Sequence, residues 1–254
     1  MKKRFPLLEY DPASEAIISP SRTVASLEVS RYCVLCFFHE VLAGLVKSGR
    51  AKPIHTFPLS SGPHPIYELE NEGRRVVLVH PGIGAPMAVL LMEKLIALGC
   101  RNFIAVGGAG VLDRGANLGD VFVPTAAIRD EGTSYHYLPP GREVGPSADA
   151  VAAIRDVLEK ANWRYTAGKT WTTDAFFRET PGRVALRKAE GCLTVEMEAA
   201  AFFAVAQFRN VTMGQILYAG DLVIDSGWDH RDWPSASCRA QLLSLAIQAC
   251  LSLP

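Results

Sequence analysis

The chain has little of what marks several large protein classes. Its 26 Lys and Arg balance its 26 Asp and Glu, so the formal net charge is zero, and no block carries one sign. Because nucleic-acid-binding proteins usually carry a basic patch or stripe, this balance gives no support for a nucleic-acid partner. No apolar run of about 18 residues or more is present, so we expect no membrane span. The basic start Met1–Arg4 precedes no apolar core, so we expect no signal peptide.

Cysteine and histidine lack the spacing of a metal site or a disulfide framework. Cys33 and Cys36 have C-x-x-C spacing, but no second pair and no His cluster accompanies them. They lie in an apolar stretch that we expect to be helical, as buried, reduced thiols of a cytoplasmic protein. The segment Asp229–Asp232 is interpreted as a solvated loop. The chain also has no P-loop and no Gly-x-Ser-x-Gly motif. We therefore predict no metal and no organic cofactor.

Strand-like and helix-like segments alternate along the chain. Buried strands are predicted at 75–80, 103–106, 121–124 and 215–219, and helices at 88–98, 147–160 and 234–252. Gly99 is expected to end the first of these helices, and Ser147 to cap the second. In a chain of 254 residues, this alternation predicts one α/β domain over residues 1–254, with a mixed central sheet flanked by helices.

Small, aromatic and acidic residues stand where strands are predicted to end, the usual place for binding sites in α/β proteins. Gly107 and Gly108 are expected in a turn that lets a ligand approach backbone N–H groups, although ordinary tight turns use the same residues. Phe176 follows a polar turn and could stack on a flat base or pack in the core. Asp221 is expected just beyond a strand, where burial could raise its pKa and let it donate to N7 of a purine. A turn-forming Asp is the alternative.

The string Val195-Glu196-Met197-Glu198-Ala199 leads into an Ala-rich apolar helix. Carboxylates near a helix N-terminus interact favourably with the helix dipole, so a solvated helix start is one interpretation. We expect the two carboxylates to point to different sides of the chain, one toward a cavity and one serving structure. A cavity-facing Glu can accept two hydroxyl hydrogen bonds at once, which suits the cis-diol of a ribose.

This string resembles the ribose-binding signature of the nucleoside phosphorylase family, which includes uridine phosphorylase, hexameric purine nucleoside phosphorylase and methylthioadenosine nucleosidase. Other motifs resemble that family in the same order between residues 75 and 228: Gly-Ile-Gly-x-Pro at 82–86, the glycines at 107–110, Gly-Asp at 119–120, the aromatic loop at 171–177, and Asp221. The resemblance implies that Met197 packs on the sugar and Glu198 binds its hydroxyls. It also implies that Phe176 stacks on the base. Asp221 would bind or protonate the base.

The expected phosphate ligands depart from the family pattern. The resemblance places Gly107 and Gly108 on the phosphate side, and Arg178 near an exocyclic oxygen or a phosphate. Pro20 to Arg22 matches the family's phosphate turn in spacing only, which makes Arg22 a candidate ligand. The usual Arg and Ser or Thr are replaced by Ala105 and Gly108, although a phosphate dianion needs charge-assisted donors.

The resemblance implies an enzyme that cleaves a nucleoside with inorganic phosphate, giving free base and ribose 1-phosphate. Uridine phosphorylases generally lack an Asp at the position of Asp221, so we expect a purine. The family implies a homodimer or a hexamer built as a trimer of dimers. Two alternatives stay open: a nucleosidase that uses water in place of phosphate, and a non-catalytic nucleoside-binding protein on the same fold.

Overall fold

The computed structural model describes residues 2–24, 27–233 and 237–254. In these residues it contains six α-helices and one sheet of eleven strands. The strands are β1 (Tyr32–Cys36), β2 (Ala51–Leu59), β3 (Gly62–Asn71), β4 (Arg74–Val79), β5 (Asn102–Val111), β6 (Val121–Asp130), β7 (Glu143–Val144), β8 (Tyr165–Thr173), β9 (Cys192–Glu196), β10 (Thr212–Ile224) and β11 (Gly227–Asp229). The helices are α1 (His39–Lys47), α2 (Ala85–Leu98), α3 (Ala148–Lys160), α4 (Pro181–Ala189), α5 (Ala199–Arg209) and α6 (Arg239–Ser252).

The sheet is mixed, as predicted. Its order is β11-β10-β6-β8-β9-β5-β1-β4-β3-β2, with β7 paired to β6. A further pairing of β10 with β5 closes β10, β6, β8, β9 and β5 into a ring. Strand β1 runs parallel to both β4 and β5, and β5 also runs parallel to β10. Strands β2, β3 and β4 form an antiparallel meander. The carboxyl ends of the four parallel strands therefore meet at one edge of the sheet.

Helices cover both faces of the sheet, which explains why its central strands are continuous apolar runs. Strands β1 and β5 bury almost every side chain, and β4 buries its last four. Helices α2 and α5 pack on one face, where α5 is buried along its first eight residues. Helices α3 and α6 pack on the other face. None of the described helices has both the length and the apolar character that a membrane crossing requires.

Two sequence expectations about local structure are wrong. Cys33 and Cys36 lie in strand β1 and not in a helix, although their thiols are free and buried as expected. The predicted turn at Gly107 and Gly108 lies inside β5, which continues to Val111. Gly107 pairs with Leu217 of β10, and Gly108 pairs with Tyr218. This pairing keeps the backbone of both glycines extended, although their local sequence favours a turn.

Strand β10 is also longer than predicted, so Asp221 lies within it and not beyond its end. The two predicted helix boundaries are confirmed. Gly99 ends α2 with a left-handed φ of 119°, and α3 follows Ser147. The Ser147 hydroxyl accepts a hydrogen bond from the Met213 N–H and does not cap the helix. The last helix begins at Arg239; the predicted start at residues 234–235 lies outside the described residues.

Candidate active site

A cavity of about 300 Å³ opens at the edge where the parallel strands end. This volume is within the range of pockets that hold small molecules. Six of the eight residues predicted from the sequence line it: Gly107, Gly108, Phe176, Met197, Glu198 and Asp221. Arg22 and Arg178 are not among the lining residues. Arg22 lies exposed on a short 3₁₀ helix, Pro20–Arg22, near α2, and Arg178 is exposed on the loop that carries Phe176.

The buried carboxylate of Glu196 fixes the start of helix α5. Its Oε2 accepts hydrogen bonds from the N–H groups of Glu198 (2.8 Å) and Ala199 (2.6 Å). Its Oε1 accepts one from the hydroxyl of Thr172 (2.6 Å), which in turn accepts the N–H of Ala200 (3.0 Å). These contacts satisfy helix N–H groups that would otherwise lack partners. Glu196 therefore serves structure, as the sequence led us to expect of one of the two carboxylates.

Glu198 is the second carboxylate, and it is only 6% exposed. Its Oε1 accepts a hydrogen bond from the Gly84 N–H at 2.5 Å, in the loop between β4 and α2. Burial raises the pKa of Glu198, and the charge of Glu196 raises it further. Burying a carboxylate that accepts few hydrogen bonds costs free energy, unless a ligand donates further hydrogen bonds to it. The hydroxyls of a sugar in the cavity would supply them.

An aromatic loop forms another wall of the cavity. Phe176 begins the 3₁₀ helix Phe176–Arg178, and its ring meets that of Phe177 edge-on at 5.0 Å. Phe177 is 92% exposed, so it is Phe176 that faces the cavity. Asp174 anchors the loop by accepting the Gly132 N–H at 2.8 Å.

Two further carboxyl groups line the cavity. A register shift in the pairing of β10 with β5 lies between Ala219 and Leu222, and Asp221 stands within it, lining the cavity. The indole N–H of Trp228 donates to Asp221 Oδ2 at 2.7 Å. Glu179, at the end of the aromatic loop, lines the same cavity. Burial, followed by the charge of Asp221, raises the pKa of Glu179 to about 7.

The glycines of β5 form the floor of the cavity. A Cβ atom at Gly107 would lie 3.0 Å from the Phe37 ring, and one at Gly108 would lie 3.1 Å from the Tyr218 ring. Both distances are tight, so side chains at these positions would require the neighbouring rings to move. Tyr218 therefore occupies the space beside Gly108, the position at which the family resemblance led us to expect a Ser or Thr.

Polar groups surround the floor. His80 Nδ1 accepts the Gly82 N–H at 3.1 Å, so neutral His80 carries its proton on Nε2. Burial lowers the pKa of His80, and the charge of His39 lowers it further. Gln215 is paired in register with Ala105, is 2% exposed and lines the cavity. Its Oε1 is buried and has no hydrogen-bond partner.

One guanidinium lines the cavity in the part of the chain that the structure describes. Arg239, the first residue of α6, lies 4.7 Å from the centre of the Phe38 ring and 5.9 Å from that of Trp233. It also forms a 2.9 Å ion pair with Glu40. No motif in the sequence marked Arg239, because the helix that carries it is far along the chain from the rest of the floor. Across the described ranges, no three His, Cys, Asp or Glu side chains form a metal-binding group.

Comparison with known proteins extends the resemblance. A family model described as the phosphorylase superfamily matches residues 31–247, beginning well before residue 75. Guanosine phosphorylase of Halorubrum lacusprofundi is 30% identical over 145 residues, which are 57% of this chain and 60% of that protein. Uridine phosphorylase of Escherichia coli is 25% identical over 196 residues, which are 72% of this chain and 76% of that protein.

Two solved structures show the same fold. AMP nucleosidase from Bacteroides thetaiotaomicron superposes with a TM-score of 0.68 and 26% identity, over 87% of each chain. Purine nucleoside phosphorylase from Toxoplasma gondii, in complex with immucillin-H, superposes with a TM-score of 0.75 over 88% of this chain and 91% of that one. The second shares only 17% identity, so it informs the fold alone.

Proposed function

Because the chain belongs to the phosphorylase superfamily, we propose that it is a glycosyltransferase of the nucleoside phosphorylase type and cleaves the N-glycosidic bond of a purine nucleoside with phosphate. The products are the free base and ribose 1-phosphate. One observation carries the proposal: Met197, Glu198, Phe176 and Asp221 line one cavity at the carboxyl ends of the parallel strands. The activity belongs to one domain spanning the chain.

Glu198 holds the ribose in this proposal. Its carboxylate accepts hydrogen bonds from two sugar hydroxyls, and Met197 packs on the sugar ring. The hydrogen bond from the Gly84 N–H fixes the orientation of the carboxylate before the sugar binds. The bond to the base breaks through an oxocarbenium-like transition state, so a carboxylate held beside the sugar favours the developing positive charge.

The base lies against Phe176, with Asp221 at its edge. A proton given to N7 lets the base leave as a neutral molecule when the electrons of the C–N bond move onto it. The Trp228 N–H donates a hydrogen bond to Oδ2 of Asp221, so Oδ1 is the oxygen left to face the base. The presence of an acid at this end supports a purine, since a purine offers N7 as an acceptor.

Phosphate occupies the floor of the cavity in this proposal. Gly107 and Gly108 leave room for it there, and the Nε2–H of His80 and the guanidinium of Arg239, which also pairs with Glu40, are its donors. Charge-assisted hydrogen bonds from a guanidinium are strong enough to hold a dianion. Arg239 thus takes the role that the sequence assigned to Arg22, which the structure does not bring to the cavity.

Hydrolysis is a second candidate, and Ala105 favours it. A phosphate dianion needs charge-assisted donors, and the alanine side chain at this position of β5 supplies none. In addition, one structural relative is named AMP nucleosidase. In this version water attacks C1′ and the products are free base and free ribose.

One experiment separates the candidates. A panel of purine and pyrimidine nucleosides is incubated with the pure protein, with and without phosphate, and free base and sugar phosphate are read by chromatography. Phosphate-dependent release of a purine supports the proposal, and phosphate-independent release supports hydrolysis. Binding of a nucleoside by calorimetry without release of base would instead identify a binding protein. Wild-type rates for both Glu198→Ala and Asp221→Asn would overturn the site assignment.

We also propose a homodimeric or hexameric assembly in the cytoplasm. The family resemblance supports the assembly, and the six free thiols fit a reducing compartment. Exposed apolar side chains include Ile83 at the cavity mouth, which is 72% exposed in one chain. A partner chain would cover such a residue. Sedimentation as a monomer at assay concentration would contradict the assembly.

A further inference from the structure

The carboxyl of Asp221 is held by a residue that no sequence motif marked. The indole N–H of Trp228 donates a hydrogen bond to Asp221 Oδ2 at 2.7 Å, and among the described residues no other group donates to this carboxyl. The other oxygen, Oδ1, lies 3.4 Å from where a Cβ atom of Gly110 would stand, and Gly110 lines the cavity. The two oxygens therefore differ, because the indole engages Oδ2 while Oδ1 lies beside the cavity lining.

The two side chains meet because β10 and β11 form a short antiparallel hairpin. Val223 pairs with Trp228 in this hairpin, so Trp228 and Asp221 are diagonal neighbours on one face of it. The loop that follows β5 holds the turn of the hairpin, since the guanidinium of Arg114 donates to the hydroxyl of Ser226 at 2.9 Å. Backbone pairing therefore places the indole beside the carboxyl before any base binds.

We propose that Trp228 is a positioning residue that keeps the transferable proton of Asp221 on Oδ1. An indole N–H can only donate, so Oδ2 must accept. The carbonyl oxygen of a carboxylic acid accepts better than its hydroxyl oxygen, which leaves the proton on Oδ1, the oxygen that faces N7 of the base. This inference rests on the proposed function, because it assumes that a purine nucleoside is cleaved here and that Asp221 supplies the proton.

The hydrogen bond from Trp228 strengthens as the proton leaves Asp221. When the C1′–N9 bond breaks, its electron pair moves onto the base, the proton moves from Oδ1 to N7, and a phosphate oxygen forms the new bond to C1′. Asp221 remains as a carboxylate and recovers a proton from water after the base has left. Hydrogen bonds to an ionised group are stronger than those between neutral groups. Trp228 therefore stabilises the transition state more than the bound substrate, so its effect is on kcat.

The test compares guanosine with 7-methylguanosine as substrates of the full-length protein. The methyl group at N7 already gives the second base a positive charge, so this base leaves as a neutral molecule without receiving a proton. In Trp228→Phe we expect kcat for guanosine to fall by about tenfold, because a hydrogen bond to a charged group is lost. The KM for guanosine and the kcat for 7-methylguanosine should stay close to the wild-type values. Trp228→His, which keeps a ring N–H, should recover much of the kcat for guanosine.

Trp163→Phe is the matched control. Trp163 follows α3 and is not among the residues that line the cavity, so both nucleosides should react at wild-type rates in this variant. Equal losses of kcat with both nucleosides in Trp228→Phe would show a structural role and overturn the inference. A wild-type kcat for guanosine in Trp228→Phe would overturn it as well.

The same assays separate this inference from the proposed function. If the wild type releases no purine from any nucleoside, the proposed function fails and this inference fails with it. If purine nucleosides are cleaved but Trp228→Phe slows both members of the pair equally, only this inference fails. Should adenosine be the better substrate, adenosine and 7-methyladenosine take the place of the guanosine pair. Should the wild type not react with the methylated nucleoside, recovery of kcat in Trp228→His decides, and no recovery would overturn the inference.

Discussion

Replacing Glu198 by Gln should stabilise the folded protein at alkaline pH while removing its ability to bind ribose. Glu198 is buried, and burial followed by the charge of Glu196 raises its pKa from 4.5 to about 8. Between these two pH values the unfolded chain is ionised at this position, whereas the ligand-free folded chain holds a proton, which leaves when sugar hydroxyls donate to the carboxylate and lower its pKa. The contribution to stability is therefore fully present below pH 4.5 and is lost as the pH rises through about 8.

The size of the effect follows from the same pKa values. Each unit of pKa difference corresponds to about 1.4 kcal/mol, so a change from 4.5 to about 8 sets an upper limit of about 5 kcal/mol. Because Glu196 shares the buried charge, we expect about 2 to 4 kcal/mol for Glu198 alone. Gln keeps an oxygen to accept the Gly84 N–H but carries no charge, so the variant avoids this loss. In a chain of this size the gain corresponds to a rise in Tm of about 5 to 15 °C.

Urea unfolding at pH 5.5 and pH 8.5, without nucleoside or phosphate, measures the effect, since bound ligands would stabilise either protein. The free energy of unfolding of Glu198→Gln should exceed that of wild type by a small amount at pH 5.5 and by a large amount at pH 8.5. Glu190→Gln is a control of opposite sign. Burial opposes ionisation of Glu190, but hydrogen bonds from Arg187 and Arg142 outweigh it and lower its pKa, so its loss should destabilise the protein at pH 8.5. A Glu198→Gln variant that is no more stable than wild type at pH 8.5 would refute the reasoning.

Three further substitutions test the site. Phe176→Ala should raise the nucleoside KM by about tenfold, because stacking of a base on an aromatic ring contributes about 1–3 kcal/mol, whereas Phe177→Ala, which removes an exposed ring, should not. Arg239→Gln should raise the KM for phosphate by at least about tenfold if it holds the anion, and Arg22→Gln should leave this KM unchanged. Gly110→Ala places a Cβ 2.9 Å from methyl groups of two valines and should lower stability by about 1–3 kcal/mol in a thermal melt. Phosphate kinetics that are the same for wild type and Arg239→Gln would exclude Arg239 as the anion ligand.

The sequence predicted the parts of the site that are encoded in short motifs. Met197 and Glu198 belong to one string, and the backbone at the end of β9 brings both to the cavity. Phe176 and Asp221 were found because each has a characteristic neighbourhood of a few residues. The mixed sheet and its flanking helices also followed from the alternation of apolar runs, which is a local property.

The remaining site residues depend on contacts that are distant in sequence. Glu179 has no motif, and it lines the same cavity as Asp221 although the two residues lie on different elements. Gln215 and Arg239 reach the floor because β10 pairs with β5 and α6 packs beside them. Arg22 was marked by local spacing alone, and it lies outside the cavity lining of its own chain. The first lining residue along the described chain is Phe37, which follows strand β1, and β1 begins ten residues after Arg22.

Residues of strand β10 stand beside both positions of β5 where the expected phosphate ligands are absent. The ring of Tyr218 stands 3.1 Å from where a Cβ of residue 108 would lie, so a Ser at this position would require the ring to shift by a few tenths of an ångström. Gln215 pairs in register with Ala105, so its side chain is the neighbour of any larger residue placed there. Both neighbours lie on β10, and each fills or borders the space that a donor on β5 would need. Restoring an Arg or a Ser on β5 alone would therefore disturb packing before it improved phosphate binding, and the anion site has to be understood as a property of both strands together.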